Sequence, residues 1–289
     1  MRQNSFGKLP RVSALTLGGG GIGMVWGETT FDECVATVHA AVAAGINLID
    51  LAPRYGDGKA ERAVGEAFAG RLPGGVRVTS KCNLGNAPPE EIEQLLRQSI
   101  DGSLQRLRLP RLDLFFLHSN VVPDKSHIAQ RPDAASRMTL YETFVEHVRP
   151  VFERLVGEGL IGAWGLTAIG HPDTIIKLLG ERPAPAAVQC IANLLDSPGA
   201  LKFFDGSAKP RTIMTAARAN GVGVMGIRGA GGCTDPAQLI GPCPPTTQKC
   251  AILTAQPASE DSPRGLAPLP PHWHIAMLYR STSTHSCSA

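Results

Sequence analysis

The chain has 289 residues, 43% of them apolar and 18% charged, with a formal net charge of +3. That length and balance suit one large α/β domain or two smaller ones and exclude a disordered, collagenous or coiled-coil chain. The small charge, with no dense Lys/Arg run, gives no reason to expect nucleic acid, and no stretch nears the ~18 apolar residues of a membrane-spanning helix. The start, Met1-Arg2-Gln3-Asn4-Ser5, lacks the apolar core of a secretory signal. The seven cysteines are therefore expected as reduced thiols, and the protein as cytoplasmic.

From Ala14 the chain alternates strand and helix patterns. A short run at Ala14 to Leu17 precedes the glycine cluster Gly18 to Gly21. Helical spacing follows over Phe31 to Ala44 and ends at Gly45, and Ile46 to Ile49 reads as a strand. Lys59 to Phe68 reads as a helix and Val76 to Ser80 as a strand. Pro88-Pro89-Glu90-Glu91 suits the first turn of a helix running to Leu107. Leu112 to Leu117 is a nearly continuous apolar run, the pattern of a parallel strand covered on both faces. Tyr141 to Gly157 is helical, Ile161 to Leu166 a strand, Pro172 to Leu179 a helix, and Val188 to Ile191 a strand. Thr212 to Asn220 is a further helix and Val222 to Ile227 a seventh strand. Two architectures accommodate such alternation, a doubly wound open sheet and a (β/α)8 barrel. Both put chemistry beyond the carboxyl ends of the strands.

Titratable residues stand at those ends. Asp50 follows Ile49, Tyr55 lies in the next loop, Lys81 follows Ser80 and His118 follows Leu117. Singly, each has an ordinary structural use: a cap, a packed ring, a solvated ammonium, a satisfied core imidazole. Together they make chemical sense. A phenol with a pKa near ~10 is a poor proton donor or acceptor at neutral pH unless an ammonium stabilises its anion. A carboxylate keeps that ammonium charged, and an imidazole can hydrogen-bond a carbonyl oxygen. The set fits proton transfer to a carbonyl that receives hydride.

At these residues the chain resembles the aldo-keto reductase family. Gly45-Ile46-Asn47-Leu48-Ile49-Asp50-Leu51-Ala52-Pro53-Arg54-Tyr55-Gly56, followed by Glu61-Arg62-Ala63-Val64-Gly65, is similar to the family's first signature. Lys81, and Leu112-Asp113-Leu114-Phe115-Phe116-Leu117-His118, match the next two, and the likeness covers roughly residues 10 to 228. The resemblance implies a (β/α)8 barrel that binds a nicotinamide cofactor, NADPH by habit and NADH as the alternative, without a Rossmann fold. It implies Tyr55 as general acid and base, Lys81 held by Asp50 as the group that lowers the Tyr55 pKa, and His118 as the orienter of the carbonyl. Cofactor contacts would come from Gly20 in the first strand-to-helix loop, Thr167, Gln189, Ile227 and Arg228. The partner would be a small carbonyl or sugar substrate, with neither nucleic acid nor membrane. Thr167-Ala168 stands where the family commonly has Ser-Asn, and Ile227 where many members place a Tyr, which marks a divergent bacterial member. The stretch from Asn120 to Met138 reads as a long insertion able to overlie the site.

Residues 229–289 break the pattern. The last sixty residues hold nine of the 23 prolines, four of the seven cysteines and only six charged side chains. Helical periodicity stops there, and the family's last helix, eighth strand and final helix are not recognisable. Back-translated with GC-rich codons and read from the third base of the Gly241 codon, the segment yields an amphipathic helix, a second helix and an apolar strand, similar to the missing family ending. The tail is therefore expected to be a frameshift product, irregular or disordered, beside a barrel at 1–228. Cys243, Cys250, His272 and His274 lack zinc-like spacing, so no metal is expected. The alternative function is a catalytically impaired or non-catalytic nucleotide-binding protein on the same scaffold.

Overall fold

A computed structural model gives the fold and describes residues 1–25, 29–193, 195–198 and 201–229. The chain opens on a hairpin, β1 (Gln3–Phe6) and β2 (Leu9–Ser13). Next, β3 (Leu17–Gly18) runs into one helical turn, α1 (Gly19–Ile22), and then α2 (Phe31–Ala43). β4 (Leu48–Asp50) leads to α3 (Lys59–Phe68), and β5 (Arg77–Cys82) to α4 (Ile92–Leu107). After β6 (Leu114–Leu117) come β7 (Asn120–Val122), α5 (Lys125–Gln130) and β8 (Met138–Leu140). A three-part helix follows: α6 (Tyr141–Thr143), a π-turn at Phe144–Val148 and α7 (Arg149–Gly157). The rest is β9 (Trp164–Thr167), α8 (Pro172–Gly180), β10 (Ala187–Ile191), α9 (Pro210–Ala219) and β11 (Gly223–Ile227).

Seven strands form one parallel sheet in the order β11-β10-β9-β6-β5-β4-β3. Each lies beside its predecessor among these seven, β9 following β6, so the order never reverses. A doubly wound sheet must reverse at a switch point. The winding is thus that of a (β/α) barrel, and the eighth strand of a complete barrel is not among the described residues. Period-two alternation divides the side chains. Ile49, Val78, Phe115, Leu117, Leu166 and Val188 face outward, in one cluster with helix residues such as Val38, Leu96, Phe152 and Ile175. Leu48, Leu114, Phe116, Ala187 and Met225 face inward, where Phe6 and Val12 of the hairpin complete the core.

The hairpin, outside the expected elements, stoppers the amino ends of the strands. Gly7 turns there at φ +59, and a Cβ on it would come 2.4 Å from the Gly223 nitrogen. Ser13 and Asn47 tie it down, with the Ser13 N–H donating to Asn47 Oδ1 at 2.6 Å. The insertion is also more ordered than its sequence suggests, because β7 and β8 pair in parallel. The helix expected over Tyr141 to Gly157 is present but not uniform. Pro150 has no N–H for the Glu146 carbonyl and its ring crowds that carbonyl, which accounts for the π-turn. The glycine cluster expected as a loop instead ends β3 at Gly18 and forms α1. The irregular tail expected at 229–289 lies, beyond residue 229, outside the described residues, as do its cysteines and histidines.

Candidate active site

The alternation that builds the inner core also aims polar side chains into it. Asp50 is the residue after outward Ile49, and Thr79 and Lys81 flank outward Ser80, so all three point inward. Across the barrel, Gln189 follows outward Val188. They converge on one carboxylate oxygen. Asp50 Oδ1 accepts from Lys81 Nζ at 2.8 Å, Thr79 Oγ1 at 2.8 Å and Gln189 Nε2 at 2.7 Å. Lys81 is buried and also donates to the Leu51 carbonyl at 2.7 Å and to the Tyr55 hydroxyl at 3.2 Å. Asp50, Tyr55 and Lys81, expected together from sequence, therefore form one chain of hydrogen bonds. His118 completes the set, its ring edge-on to Tyr55 with centroids 6.2 Å apart.

Glycines make room for the phenol. A Cβ on Gly19 would lie 2.7 Å from Tyr55 Cδ2 and 2.6 Å from the Asp50 carbonyl oxygen, and one on Gly23 would meet the Tyr55 backbone at 2.8 Å. Gly56, at φ +63, turns the chain directly after Tyr55.

The electrostatics follow from burial. Desolvation raises the Tyr55 pKa above 10, Lys81 pulls it down and Asp50 pushes it up, for a net rise. Lys81 thus acts on the phenol in the expected direction, but the net shift is upward, because in the barrel the cost of burying a phenolate is larger than the attraction of an ammonium that Asp50 already partly neutralises. For Lys81, burial favours the neutral amine, but Asp50 and then Tyr55 outweigh it, so the ammonium persists. Burial drives His118 down to about 3, with Lys81, Arg54 and Arg137 adding positive charge. Its imidazole is neutral at physiological pH and has no hydrogen-bond partner among the described residues.

Of the expected cofactor contacts, Thr167 and Gln189 are buried side by side on β9 and β10, and the Thr167 hydroxyl donates to the Leu117 carbonyl at 3.1 Å. Besides Asp50, the Gln189 amide nitrogen touches Met225 Sδ at 3.2 Å. Ile227 ends β11 beside Ile191, and Arg228, at φ 57, donates to the Pro198 carbonyl at 3.1 Å. Gly20 lies in α1, its carbonyl accepting from the Val25 N–H at 3.0 Å. Sequence reasoning missed Thr79, although it stands two residues before Lys81 and thus on the same strand face. It also missed Glu61, a fully buried carboxylate behind the site that accepts from Ser80 and from Arg106, both at 2.6 Å.

A sequence model of the aldo/keto reductase family matches residues 14–235. L-galactose dehydrogenase of Arabidopsis thaliana is 29% identical over 183 residues, spanning 63% of this chain and 52% of that protein. A methylglyoxal reductase of Escherichia coli is 30% identical over 159 residues, spanning 55% of this chain and 46% of that one. The chain thus spans about half the length of these curated relatives. Among solved structures, an aldo-keto reductase of Klebsiella pneumoniae in complex with NADP and acetate is 25% identical, with a TM-score of 0.52 over 76% of this chain and 65% of that one. The in-order parallel winding, the ammonium set between carboxylate and phenol, and the family match over more than half its length agree: this chain belongs to the aldo/keto reductase family.

Proposed function

We propose that the protein reduces the carbonyl group of a small aldehyde, ketone or sugar with NADPH, NADH being the alternative, and that Tyr55 gives the proton. The observation that carries this reading is the Lys81 ammonium, within hydrogen-bond reach of both Asp50 at 2.8 Å and Tyr55 at 3.2 Å. Such a bridge suits an enzyme better than a passive nucleotide-binding scaffold, which has no use for a buried ammonium under a phenol. The relatives' named substrates, L-galactose and methylglyoxal, support a sugar or small carbonyl.

The residues present fit the cofactor. Gln189 is buried with its amide nitrogen fixed on Asp50, while its side-chain oxygen accepts no hydrogen bond from the described residues. An amide N–H of the nicotinamide is a suitable donor to that oxygen. Gly20, Thr167, Ile227 and Arg228 are the further candidate contacts. Bound there, the cofactor supplies hydride.

The chain's own residues then handle the proton. The Tyr55 phenol is protonated at neutral pH, as a donor in the reductive direction must be, and Lys81 offsets part of the rise that burial imposes on its pKa. As the proton leaves, the Lys81 ammonium faces the new phenolate, and Asp50 holds that ammonium in place. His118, neutral and unpartnered, donates a ring N–H to the carbonyl oxygen and fixes the substrate. We assign the protein to the cytoplasm, where thiols such as Cys34, Cys82 and Cys190 stay reduced. Among the described residues no helix is long and apolar enough to cross a membrane.

The test is NADPH oxidation against a panel of aldehydes and sugars. Tyr55→Phe should lower kcat by about 10²- to 10⁴-fold, the usual worth of a general acid. NADPH binding, read by fluorescence, should persist in the variant. Turnover that survives Tyr55→Phe sinks the reading.

A further inference from the structure

A cleft of about 570 Å³ opens beside the tetrad, lined by Arg54, Lys81, Asn83, Arg106, His118 and Ser136 among others. Its charged lining is entirely cationic, with no Asp or Glu on the wall. Two of those cations are already answered: Lys81 pairs with Asp50 at 2.8 Å and Arg106 with buried Glu61 at 2.6 Å. Arg54 is exposed and makes no ion pair among the described residues. A further cation stands beside the cleft. Arg137 follows Ser136, whose carbonyl is held by Asn83 Nδ2 at 2.9 Å, and its guanidinium carbon lies 5.9 Å from the Phe203 ring centre. Arg137 likewise has no carboxylate partner among the described residues. Both guanidinium groups are close enough to His118 to disfavour its protonation.

An uncompensated positive field beside a neutral imidazole suits a substrate that brings its own negative charge. We infer that the cleft holds an anionic group, a carboxylate or a phosphate, on the far end of the carbonyl substrate, with Arg54 as the principal binding residue and Arg137 as its neighbour. This deepens the reductase reading and rests on it for the carbonyl end of the molecule. Arg54 follows β4, and the cleft is bounded by the ends of β5 and β6 with α4. The candidate nicotinamide contacts Thr167, Gln189 and Ile227 instead lie on β9, β10 and β11, and none of them lines the cleft. The guanidinium of Arg54 is therefore assigned to substrate rather than to cofactor.

The test compares matched pairs at saturating NADPH: butanal with succinic semialdehyde for a carboxylate, and glyceraldehyde with glyceraldehyde 3-phosphate for a phosphate. In at least one pair the anionic member should show kcat/KM higher by about tenfold or more, chiefly through KM, as a charge-assisted contact predicts. Whichever pair shows it identifies the anion. Raising KCl from about 0.05 to about 0.5 M should narrow the ratio. Arg54→Gln should shrink it about fivefold or more, and Arg54→Lys should retain part of it. Calorimetric binding of succinate and of inorganic phosphate to the NADP⁺-loaded protein reads the anion site without turnover. Binding of either, weakened by Arg54→Gln, supports the site even if no aldehyde is reduced, an outcome that would sink only the reductase reading. Equal or better turnover of both neutral members overturns the inference, as does anion binding that is absent or indifferent to Arg54→Gln. So does a loss of NADPH affinity in Arg54→Gln with the substrate ratio unmoved, since the guanidinium would then serve the cofactor.

Discussion

Asp50 carries three hydrogen bonds on a single oxygen, and everything nearby depends on the charge it presents to Lys81. Lys81→Met should be doubly costly. It leaves Asp50 buried without its cation, an error that typically destabilises by about 3–5 kcal/mol, and it removes the charge that stabilises a Tyr55 phenolate. A urea denaturation midpoint unchanged by Lys81→Met would contradict this arrangement. His118 makes a second prediction. Its folded value, about 3, lies below its ordinary 6.5. Below pH 6.5 the unfolded chain takes up a proton that the native ring refuses, so acid favours unfolding. This contribution is absent above about pH 7 and should reach on the order of 1–2 kcal/mol by pH 5. His118→Gln should flatten the fall in urea midpoint between those two pH values, and equal slopes for variant and parent would refute the assignment. At Gly19, an added methyl has to displace Tyr55 and also meets the Asp50 carbonyl oxygen at 2.6 Å, so Gly19→Ala should depress kcat and lower the urea midpoint as well.

At the scale of elements, β5 shows how far a sequence can be read. Alternation over Thr79, Ser80 and Lys81 assigns opposite faces to neighbours, and the fold uses both: Lys81 turns in to Tyr55 while Ser80 turns out to buried Glu61. The helix Lys59–Phe68 has the bounds that its periodicity predicts, because its apolar stripe and flanking glycines are local signals. The hairpin was illegible for the converse reason. Its strands span only Gln3–Phe6 and Leu9–Ser13, and what fixes them is contact with Gly223, far away in the chain. Phe6, which stoppers the barrel core with Leu48 and Met225, should cost about 3 kcal/mol or more when cut to Ala. A thermal midpoint that does not fall would mean the hairpin is dispensable. The insertion between β6 and α6 was legible as an insertion, but its parallel pair β7–β8 was not, since pairing across an intervening helix leaves no local periodicity.

For the whole molecule, the strand order decides the architecture. With β3 and β11 at the two ends of the described sheet, a complete barrel needs an eighth strand between them, and unpaired edges invite aggregation. We propose that the stretch from Gly241 onward is frameshifted; it lies beyond the family match, which ends at residue 235. A gene corrected from Gly241 onward should give a protein with a higher thermal midpoint and tighter NADPH binding, and repeated sequencing that returns an unbroken frame over that stretch would refute the frameshift reading. The amino-acid order alone determined the alternation of strands and helices, the family signatures, and the presence of Asp50, Tyr55, Lys81 and His118 at strand ends, because each is written in spacing over a few residues. The barrel came from the sequence only through its family resemblance, and the strand order bears it out; only the tertiary structure decided the upward shift of the Tyr55 phenol and the company of Arg54 and Arg137 around His118. Those depend on burial and on distances between groups remote in the chain, where desolvation and unscreened charge set the sign.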